Sequence, residues 1–434
     1  MKSNKFVMPN FQNRLIKFNK RSIIVKKNCV LCNSTKLKKV IDFGKTPLAN
    51  SYPTSSSKKE ELYNLSCVLC STCGHLQLNE LINPNKLFEN YLYVSGTSKV
   101  LAKHFKKYSE KVIKRFNLNN NSKILDIACN DGTFLENFVK RKFKNVIGVE
   151  PARNLRNLNL KKSIDINTNF FSFNFSKKLK KKYSKFELIT ANNVFAHSPN
   201  LFDFSKGIKN ILSSKGVFII EVSYLNTVIK KKTFDTIYHE HMSYHSLRPL
   251  INFFEKLELE VFDFELIEAQ GGSIRIYVSH KNSHIVKREK LKNQVQKETK
   301  NGLFLVSRYE FFFKQILKTK KILKNIIKDQ NKKKIRILGY GAPAKLTTFS
   351  HFFDLSKNEI QVVIDDNKLK VNRYSPGKKF LIQNFNYLKK NKKKYQVIII
   401  LAWNFYESIK KKCQKINKNF IFIKPFPTPK LEKK

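Results

Sequence analysis

Two pairs of cysteines near the N-terminus limit what the first part of the chain can fold into. Cys29 and Cys32 form one pair, Cys70 and Cys73 form the other, and two residues separate the thiols of each pair. A tight turn of this kind points two thiolates at one cation, and two such turns complete a closed tetrahedral zinc site. Residues 28–85 are therefore predicted to form a module that binds zinc as a structural ion.

The remaining cysteines leave two alternatives open. Five of the seven cysteines fall within the first 73 residues, which favours metal binding in a reducing compartment over disulfides. Cys67 and Cys70 form another pair with the same spacing, but Gly74 after Cys73 supplies the turn that a zinc knuckle needs. A cluster of buried free thiols is the other interpretation.

Length and charge limit the class of protein. The 434 residues favour two or three domains. A net charge of +53 attracts polyanions, but lysine is spread along the whole chain, so we expect no nucleic-acid partner. No apolar run reaches the ~20 residues of a membrane-spanning helix, and the basic extension 1–27 lacks a secretory signal. A cytoplasmic protein without membrane insertion is expected, either a monomer or a homodimer.

Strand-like and helix-like segments alternate over residues 86–285 and predict a Rossmann-like α/β domain. The first strand covers Lys123–Ile127 and runs into a turn that ends at Gly132, with a helix expected over 133–140. The next strand ends at Glu150. Further strands are predicted over 145–149, 186–190, 216–220 and 273–277.

The turn after the first strand has the layout of a nucleotide-cofactor site. Backbone N–H groups of such a turn lie near the ligand, and an acid at the end of the next strand accepts hydrogen bonds from ribose hydroxyls. Because the turn lacks Gly-x-Gly-x-x-Gly, it has little room for a pyrophosphate, and S-adenosylmethionine is the predicted cofactor. An ordinary α/β turn is the alternative. The cofactor residues predicted here are Asp126, Ala128, Asn130, Asp131, Gly132 and Glu150.

Polar residues also follow the strand predicted over 186–190, at the end where open sheets bind ligands. Asn192, Asn193 and His197 are predicted to surround the sulfonium and the methyl acceptor. Hydrogen bonding within a loop is the alternative role.

The densest group of polar side chains covers residues 234–245, where three histidines and two acids lie among two tyrosines. A general base, a metal site and a structural loop are three possible interpretations. A histidine with an unperturbed pKa of ~6.5 is available as a base at neutral pH, which favours the first.

The last third of the chain begins with a helical connector, predicted over 286–333. A second strand–turn–helix pattern then starts with a strand over 334–338 and the turn 339–341. Further strands are predicted over 360–364 and 396–401. Residues 334–434 are therefore predicted to form a second Rossmann-like domain.

Eight stretches resemble motifs of the sugar C-methyltransferase family, in the family's order and over about residues 28–427. They are Tyr91-x-Tyr93-x-Ser95-Gly-Thr-Ser98, Asn130-Asp-Gly132, Ala191-Asn-Asn-Val-Phe-Ala-His197, Tyr238-His-Glu-His241, Gly271-Gly-Ser-Ile-Arg275, Gly339-Tyr-Gly-Ala-Pro-Ala-Lys345, Ser375-Pro-Gly377 and Ala402-Trp-Asn-Phe405. The resemblance implies a zinc module, a class I methyltransferase domain and a family-specific C-terminal domain.

This resemblance also implies an activity: S-adenosylmethionine-dependent methylation of carbon 3 of a nucleotide-linked 4-keto-6-deoxyhexose. His241 would remove the C3 proton, Tyr238 and Glu240 would support the enolate or position the base, and His197 would line the acceptor pocket. Tyr93 and Ser95 join the predicted cofactor residues. An RNA methyltransferase and an inactive sugar-nucleotide-binding protein are the rival functions.

The nucleotide-sugar substrate would be bound through glycines and cations. Gly271, Gly272 and Gly341 are expected to permit close approach of a ligand, and Lys345 and Arg275 are expected to bind substrate. Arg275 would contact phosphate, and a place at the edge of the core is its alternative role. Two departures from the family pattern bear on specificity. Gln270 replaces a common histidine, and residues 346–347 replace a Gly-Asn pair.

Overall fold

The computed structural model describes residues 23–89, 91–156 and 164–432. Most of the predicted basic extension, residues 1–22, lies outside the described residues. Within the described part, no helix combines the length and the apolar composition that crossing a bilayer requires.

The N-terminal part contains short strands and one short helix. These are β1 (Ile23–Val25), β2 (Leu37–Thr46), β3 (Tyr63–Cys70), β4 (Leu76–Leu78), β5 (Glu80–Ile82) and α1 (Pro84–Phe88).

The middle part alternates helices and strands. Its elements are α2 (Lys99–Arg115), β6 (Lys123–Ile127), α3 (Glu136–Val139), β7 (Asn145–Val149), α4 (Arg153–Arg156), β8 (Asp165–Asn167), α5 (Phe173–Tyr183), β9 (Phe186–Asn192), α6 (Leu201–Ile211), β10 (Leu212–Ser223), α7 (Leu225–Lys231), β11 (Ser243–Tyr244), α8 (Leu247–Lys256), β12 (Leu259–Ile267) and β13 (Ser273–His280).

Two long helices lead into the C-terminal part. The elements are α9 (Arg288–Lys300), α10 (Val306–Lys332), β14 (Ile337–Tyr340), α11 (Lys345–Phe352), β15 (Val362–Ile364), β16 (Leu381–Gln383), α12 (Phe385–Lys390), β17 (Val397–Ile400), α13 (Tyr406–Gln414), β18 (Ile421–Lys424) and β19 (Lys430–Glu432).

The middle sheet has the order β12-β13-β10-β9-β6-β7-β8. The five strands from β10 to β8 are parallel, and β13 is antiparallel to both of its neighbours. The chain reverses its direction of travel across the sheet between β6 and β9, and such a switch point opens a crevice at the carboxyl ends of the strands. The Rossmann-like prediction is therefore confirmed.

The C-terminal sheet also has parallel strands and a switch point, and its order is β16-β15-β14-β17-β18-β19. Its first five strands are parallel and its switch point lies between β14 and β17. Two carboxyl edges thus offer two crevices in one chain.

The helix predicted over 133–140 is shorter than expected. Only α3 (Glu136–Val139) forms, after a series of turns that starts at Asp131. Gly132 has a φ of +78°, and α3 has no side-chain cap at Leu135. The conformation needed by the turn therefore delays the helix.

One hydrophobic core joins parts that are distant in the chain. It contains Tyr63 and Leu76 of the N-terminal sheet, Phe312 of α10, and Phe349 and Val363 of the C-terminal part. The domain boundaries at residues 85, 285 and 333 stay predictions, because this packing crosses them.

Candidate active site

A cavity of about 1980 Å³ lies at the carboxyl ends of both Rossmann-like sheets. Residues of the loops after β6, β9, β14 and β15 line it, and the first cysteine turn of the N-terminal part contributes Cys29 and Val30. All three parts of the chain therefore contact one space.

The turn after β6 holds a carboxylate at the rim of the first crevice. Ala128 and Asn130 have φ values of +53° and +55°, which fold the backbone back towards β7. Glu150 Oε2 accepts from the Asn130 N–H at 2.8 Å, and its Oε1 accepts from the Ala152 N–H at 2.8 Å. Burial raises the pKa of Glu150. The remaining lone pairs of this fixed carboxyl group can accept further hydrogen bonds, so its predicted role towards a ribose stays a prediction.

Asn130 and Asp131 connect this turn to the segment with Tyr93 and Ser95. The Asn130 side chain accepts from the Ser95 N–H at 2.9 Å and donates to the Tyr93 carbonyl at 3.0 Å. Asp131 accepts from the Gly96 N–H at 2.8 Å. Both side chains thus fix the wall of the crevice.

Asp126 is deeper than the cofactor prediction implied. It is 3% exposed, and its Oδ1 accepts from the Thr190 hydroxyl at 2.6 Å and the Asn192 amide at 3.1 Å. Burial raises its pKa to about 7. Its contacts order the ends of β6 and β9.

Most of the predicted cofactor residues line the cavity. Those that do are Tyr93, Ser95, Ala128, Asn130, Glu150, Asn192 and Asn193. Asp126, Asp131 and Gly132 lie behind this first layer.

His241 and Tyr238 form a hydrogen-bonded pair in the cavity wall. His241 Nδ1 lies 2.7 Å from the Thr236 carbonyl, which can only accept, so a neutral ring carries its proton on Nδ1. The lone pair of Nε2 then accepts from the Tyr238 hydroxyl at 2.8 Å. Burial and the neighbouring His197 lower the pKa of His241, which favours the neutral ring.

His197 lies between two rings. It stacks on His241 with a centroid distance of 5.1 Å and on Phe88 at 5.4 Å. Burial lowers its pKa to about 4, so it is uncharged at neutral pH.

Glu240 contacts residues from two earlier parts of the chain. The Asn50 amide donates to its two oxygens at 2.7 and 2.9 Å, and the Tyr91 hydroxyl donates at 3.1 Å. Burial raises the pKa of Glu240 to about 7. No local pattern around Asn50 indicated this contact, whereas Tyr91 belongs to a motif that carried the family resemblance.

The loop that carries these residues is completed by the N-terminal sheet. Ser243 and Tyr244 form β11, which pairs antiparallel with Gln77 and Leu76 of β4. Just before β11, the Met242 N–H donates to the Ala196 carbonyl at 2.8 Å. The loop is thus held between the zinc module and the turn that carries His197.

The four predicted zinc ligands converge. The sulfur atoms of Cys29 and Cys73 are 3.6 Å apart, those of Cys32 and Cys70 are 3.5 Å apart, and all four lie within 4.8 Å of one another. Zinc–sulfur bonds of ~2.3 Å in a tetrahedron require about 3.8 Å between sulfurs, so the site fits zinc.

The alternative metal interpretations receive no support. Cys67 is fully buried in the hydrophobic core and does not join the other thiols. Among the residues that the structure describes, the four cysteines are the one group of three or more side chains able to hold a metal. The histidines of the 234–245 loop do not form such a group.

Arg275 corrects one prediction. It is 2% exposed and donates to Glu221 Oε2 from Nε at 3.0 Å and from Nη2 at 2.6 Å. Its guanidinium also lies 3.5 Å from the centroid of the Tyr108 ring. Arg275 is therefore occupied inside the fold and does not line the cavity, contrary to the expected phosphate contact.

Three of the predicted substrate-binding glycines lie close to neighbouring side chains. A Cβ at Gly271 would collide with the Trp403 ring, one at Gly272 with Thr227, and one at Gly341 with Ala402. The absence of a side chain at these positions makes room for neighbouring side chains, and the expected close approach of a ligand stays a prediction. Gly341 nevertheless lines the cavity together with Lys345.

Family models match the three parts of the chain. Residues 29–88 match a model described as "Putative zinc binding domain", residues 100–263 match "Methyltransferase domain", and residues 268–427 match "C-methyltransferase C-terminal domain". The middle sheet is thus that of a class I methyltransferase, whose cofactor is S-adenosylmethionine.

A curated relative spans the same length. C-methyltransferase NovU of Streptomyces niveus is 27% identical over 406 residues, which cover 93% of this chain and 96% of that protein.

Among solved structures, PH0226 of Pyrococcus horikoshii OT3 is 14% identical and has a TM-score of 0.35, with 45% of this chain and 98% of that chain covered. An S-adenosylmethionine-dependent methyltransferase of Clostridium acetobutylicum ATCC 824 is 18% identical with a TM-score of 0.31, over 41% of this chain and 92% of that one.

The three family models match in the order zinc-binding, methyltransferase and C-terminal, and the cysteine cluster and the crevice between β6 and β9 lie within the first two. The chain is therefore an S-adenosylmethionine-dependent C-methyltransferase.

Proposed function

We propose that this enzyme methylates carbon 3 of a nucleotide-linked 4-keto-6-deoxyhexose. The observation that carries the proposal is a neutral imidazole, His241, in the wall of a cavity that continues into the cofactor crevice. A carbon nucleophile forms when a base removes a proton next to a carbonyl group. S-adenosylmethionine supplies the electrophilic methyl group.

His241 is the proposed base. Its Nε2 already accepts a hydrogen bond from Tyr238, so the C3 proton reaches Nε2 either after the phenol turns aside or by relay through its oxygen. In both cases the C3–H electron pair moves into the enolate, and Nε2 gains one proton. The Thr236 carbonyl, which accepts from Nδ1, stabilises the imidazolium that results.

Tyr238 and Glu240 are the proposed supporting groups. Tyr238 is 8% exposed and burial holds the pKa of its phenol well above the usual range, so the hydroxyl is available as a donor to developing negative charge. Glu240 anchors the loop through Asn50 and Tyr91. His197, uncharged and stacked against His241, forms part of the acceptor pocket.

The second crevice accounts for the nucleotide part of the substrate. The loops after β14 and β17 face the same cavity as the His241 loop. A nucleotide held there would leave its sugar beside His241 and the methyl donor, and such positioning supplies much of the rate enhancement of methyl transfer.

Proton removal can be tested apart from methyl transfer. We expect the wild type, with S-adenosylhomocysteine and a dTDP-linked 4-keto-6-deoxyhexose in D₂O, to exchange deuterium into C3. His241→Asn should fold and bind cofactor yet lose exchange and methyl transfer by about 10²- to 10⁴-fold.

His239→Asn is the matched control, because His239 belongs to the same loop but does not line the cavity. Near-normal turnover in His241→Asn together with its loss in His239→Asn would show that the base is wrongly assigned. No exchange or methylation with dTDP-, UDP-, GDP- or CDP-linked keto sugars would reject the substrate class.

A further inference from the structure

A nucleotide-linked sugar carries a diphosphate, and Arg275 cannot reach it from inside the fold. Three other cations line the cavity on the side of the C-terminal sheet; Lys412 is paired with Asp366, which leaves Lys345 and Lys370. Neither forms a salt bridge with any residue in the described part of the chain. Ammonium groups removed from water need anionic or hydrogen-bonding partners, so these two identify a place for a ligand.

Of these two lysines, Lys345 has fewer contacts to its ammonium group. It begins α11, directly after the turn that follows β14, and its Nζ lies 4.2 Å from the centroid of the Trp403 ring. The ring face attracts the cation but accepts no conventional hydrogen bond. The ammonium N–H groups are therefore free to donate into the cavity.

Lys370 is 4% exposed. Its Nζ donates to the Ala342 carbonyl at 2.8 Å and lies 4.8 Å from the centroid of the Tyr52 ring. The Tyr52 hydroxyl donates to the same carbonyl at 2.6 Å. The Tyr52 hydroxyl also acts on the ammonium group as a hydrogen-bond partner, so at least one of the three N–H bonds of Lys370 remains for a ligand.

The two carboxylates that act on these lysines do not hydrogen-bond to them, and Asp235 Oδ1 is buried without a hydrogen-bond partner among the described residues. Asp235, which acts on Lys345, accepts from the Trp403 indole at 2.7 Å. Asp365, which acts on Lys370, accepts from the backbone N–H groups of Ala342 and Asn367 at 2.7 and 2.8 Å. These acids moderate the positive charge without occupying the ammonium groups.

We propose that Lys345 and Lys370 bind the diphosphate of the acceptor, one from the loop after β14 and the other from the loop after β15. Phosphates of nucleotides bind at this edge of Rossmann-like sheets, where the turn after the first strand meets a helix start. The hexose is bonded to the diphosphate through C1, so C3 would lie across the sugar ring from it, in the cavity that His241 also lines. This inference rests on the proposed nucleotide-sugar substrate.

The test measures binding of dTDP, UDP, inorganic diphosphate and uncharged thymidine by calorimetry, in wild type, Lys345→Met and Lys370→Met. Each variant should bind the three diphosphates at least about tenfold more weakly, because a hydrogen bond to a charged group is lost. Thymidine and S-adenosylmethionine should bind as in the wild type. In turnover, KM for the nucleotide sugar should rise more than kcat falls, and Lys370→Arg should recover most of the affinity.

Lys368→Met is the control, since Lys368 is exposed on the same short turn as Lys370. Diphosphate binding that is unchanged in both methionine variants would overturn the proposal. Equal losses for thymidine and dTDP would also overturn it, because they would indicate a collapsed loop and no phosphate contact.

A wrong substrate assignment would give a different result from a wrong diphosphate site. If diphosphates bind in a Lys345- and Lys370-dependent way but no keto sugar is methylated, the anion site stands and the sugar assignment fails. A wild type that binds no diphosphate contradicts both.

Discussion

Burial decides the charge states of single residues in this cavity. The pKa of His197 falls to about 4 and that of His241 also falls, whereas the pKa of Glu240 rises to about 7. Each shift is caused first by desolvation, which disfavours the charged form. A sequence cannot supply this information, because the groups that exclude water come from other parts of the chain.

Glu240 should make stability depend on pH. Its pKa is raised from 4.5 to about 7 in the folded state, so the folded protein loses stability as pH rises from about 4.5 through 7. The loss is on the order of 3 kcal/mol and is complete above pH 7. In Glu240→Gln this contribution is absent, so its denaturation midpoint should fall less between pH 5 and pH 8. An equal fall of the denaturation midpoint between pH 5 and pH 8 in the wild type and the variant would contradict the explanation by a buried carboxyl group.

Glu150 should contribute to cofactor affinity. Glu150→Ala removes the fixed acceptor at the crevice and should weaken S-adenosylmethionine binding by about 1.5 to 3 kcal/mol in calorimetry. Glu150→Gln keeps one acceptor oxygen and should lose less. Glu110→Ala on the outer face of α2 is the control. Wild-type affinity in Glu150→Ala would place the ribose elsewhere.

At the scale of elements, the local sequence pattern was sufficient to predict a strand where the strand is itself a continuous apolar run. The strands β6 and β7 have the predicted bounds, because buried parallel strands are continuous apolar runs. The two-residue strand β11 could not be predicted, since it exists through pairing with β4, more than 160 residues earlier. The Asn50–Glu240 contact spans 190 residues and was missed for the same reason.

The pairing of β4 with β11 connects the zinc site to the loop that carries His241, so methyl transfer should depend on zinc binding. Cys70 ends β3, and Cys73 lies in the turn that leads to β4, so the metal holds the hairpin on which β11 rests. Cys73→Ser should lose the roughly one zinc per chain expected for the wild type and unfold this sheet. Hydrogen exchange should then rise at residues 76–78 and 243–244, and methyl transfer should fall.

Cys67→Ala is the matched control, because Cys67 lies on β3 in the core without facing the metal. It should keep its zinc and its slow exchange at β11. A zinc-free Cys73→Ser protein with wild-type stability would refute a structural role for the metal.

On the scale of the whole molecule, the chain encloses one cavity with two Rossmann-like edges. The mainly parallel character of both sheets was predictable, since alternating strands and helices favour parallel sheets, whereas their strand order was not predicted. The orientation of the two sheets relative to each other could not be predicted, because it depends on the core that joins the N-terminal sheet, α10 and α11. The predicted phosphate role of Arg275 failed for a related reason, as Glu221 neutralises it across two paired strands.

We expect one S-adenosylmethionine per chain despite the two crevices. In the second crevice, Asp365 accepts from two backbone N–H groups as Glu150 does in the first, so the difference between the crevices lies in the next residue, Asp366. Asp366 accepts from Lys412 at 2.6 Å, so a second ribose would have to displace an ion pair. Calorimetry should therefore give a stoichiometry near one, and dTDP should bind in the presence of S-adenosylhomocysteine without competing with it. Two cofactor molecules per chain, or competition between the ligands, would contradict this division of the cavity.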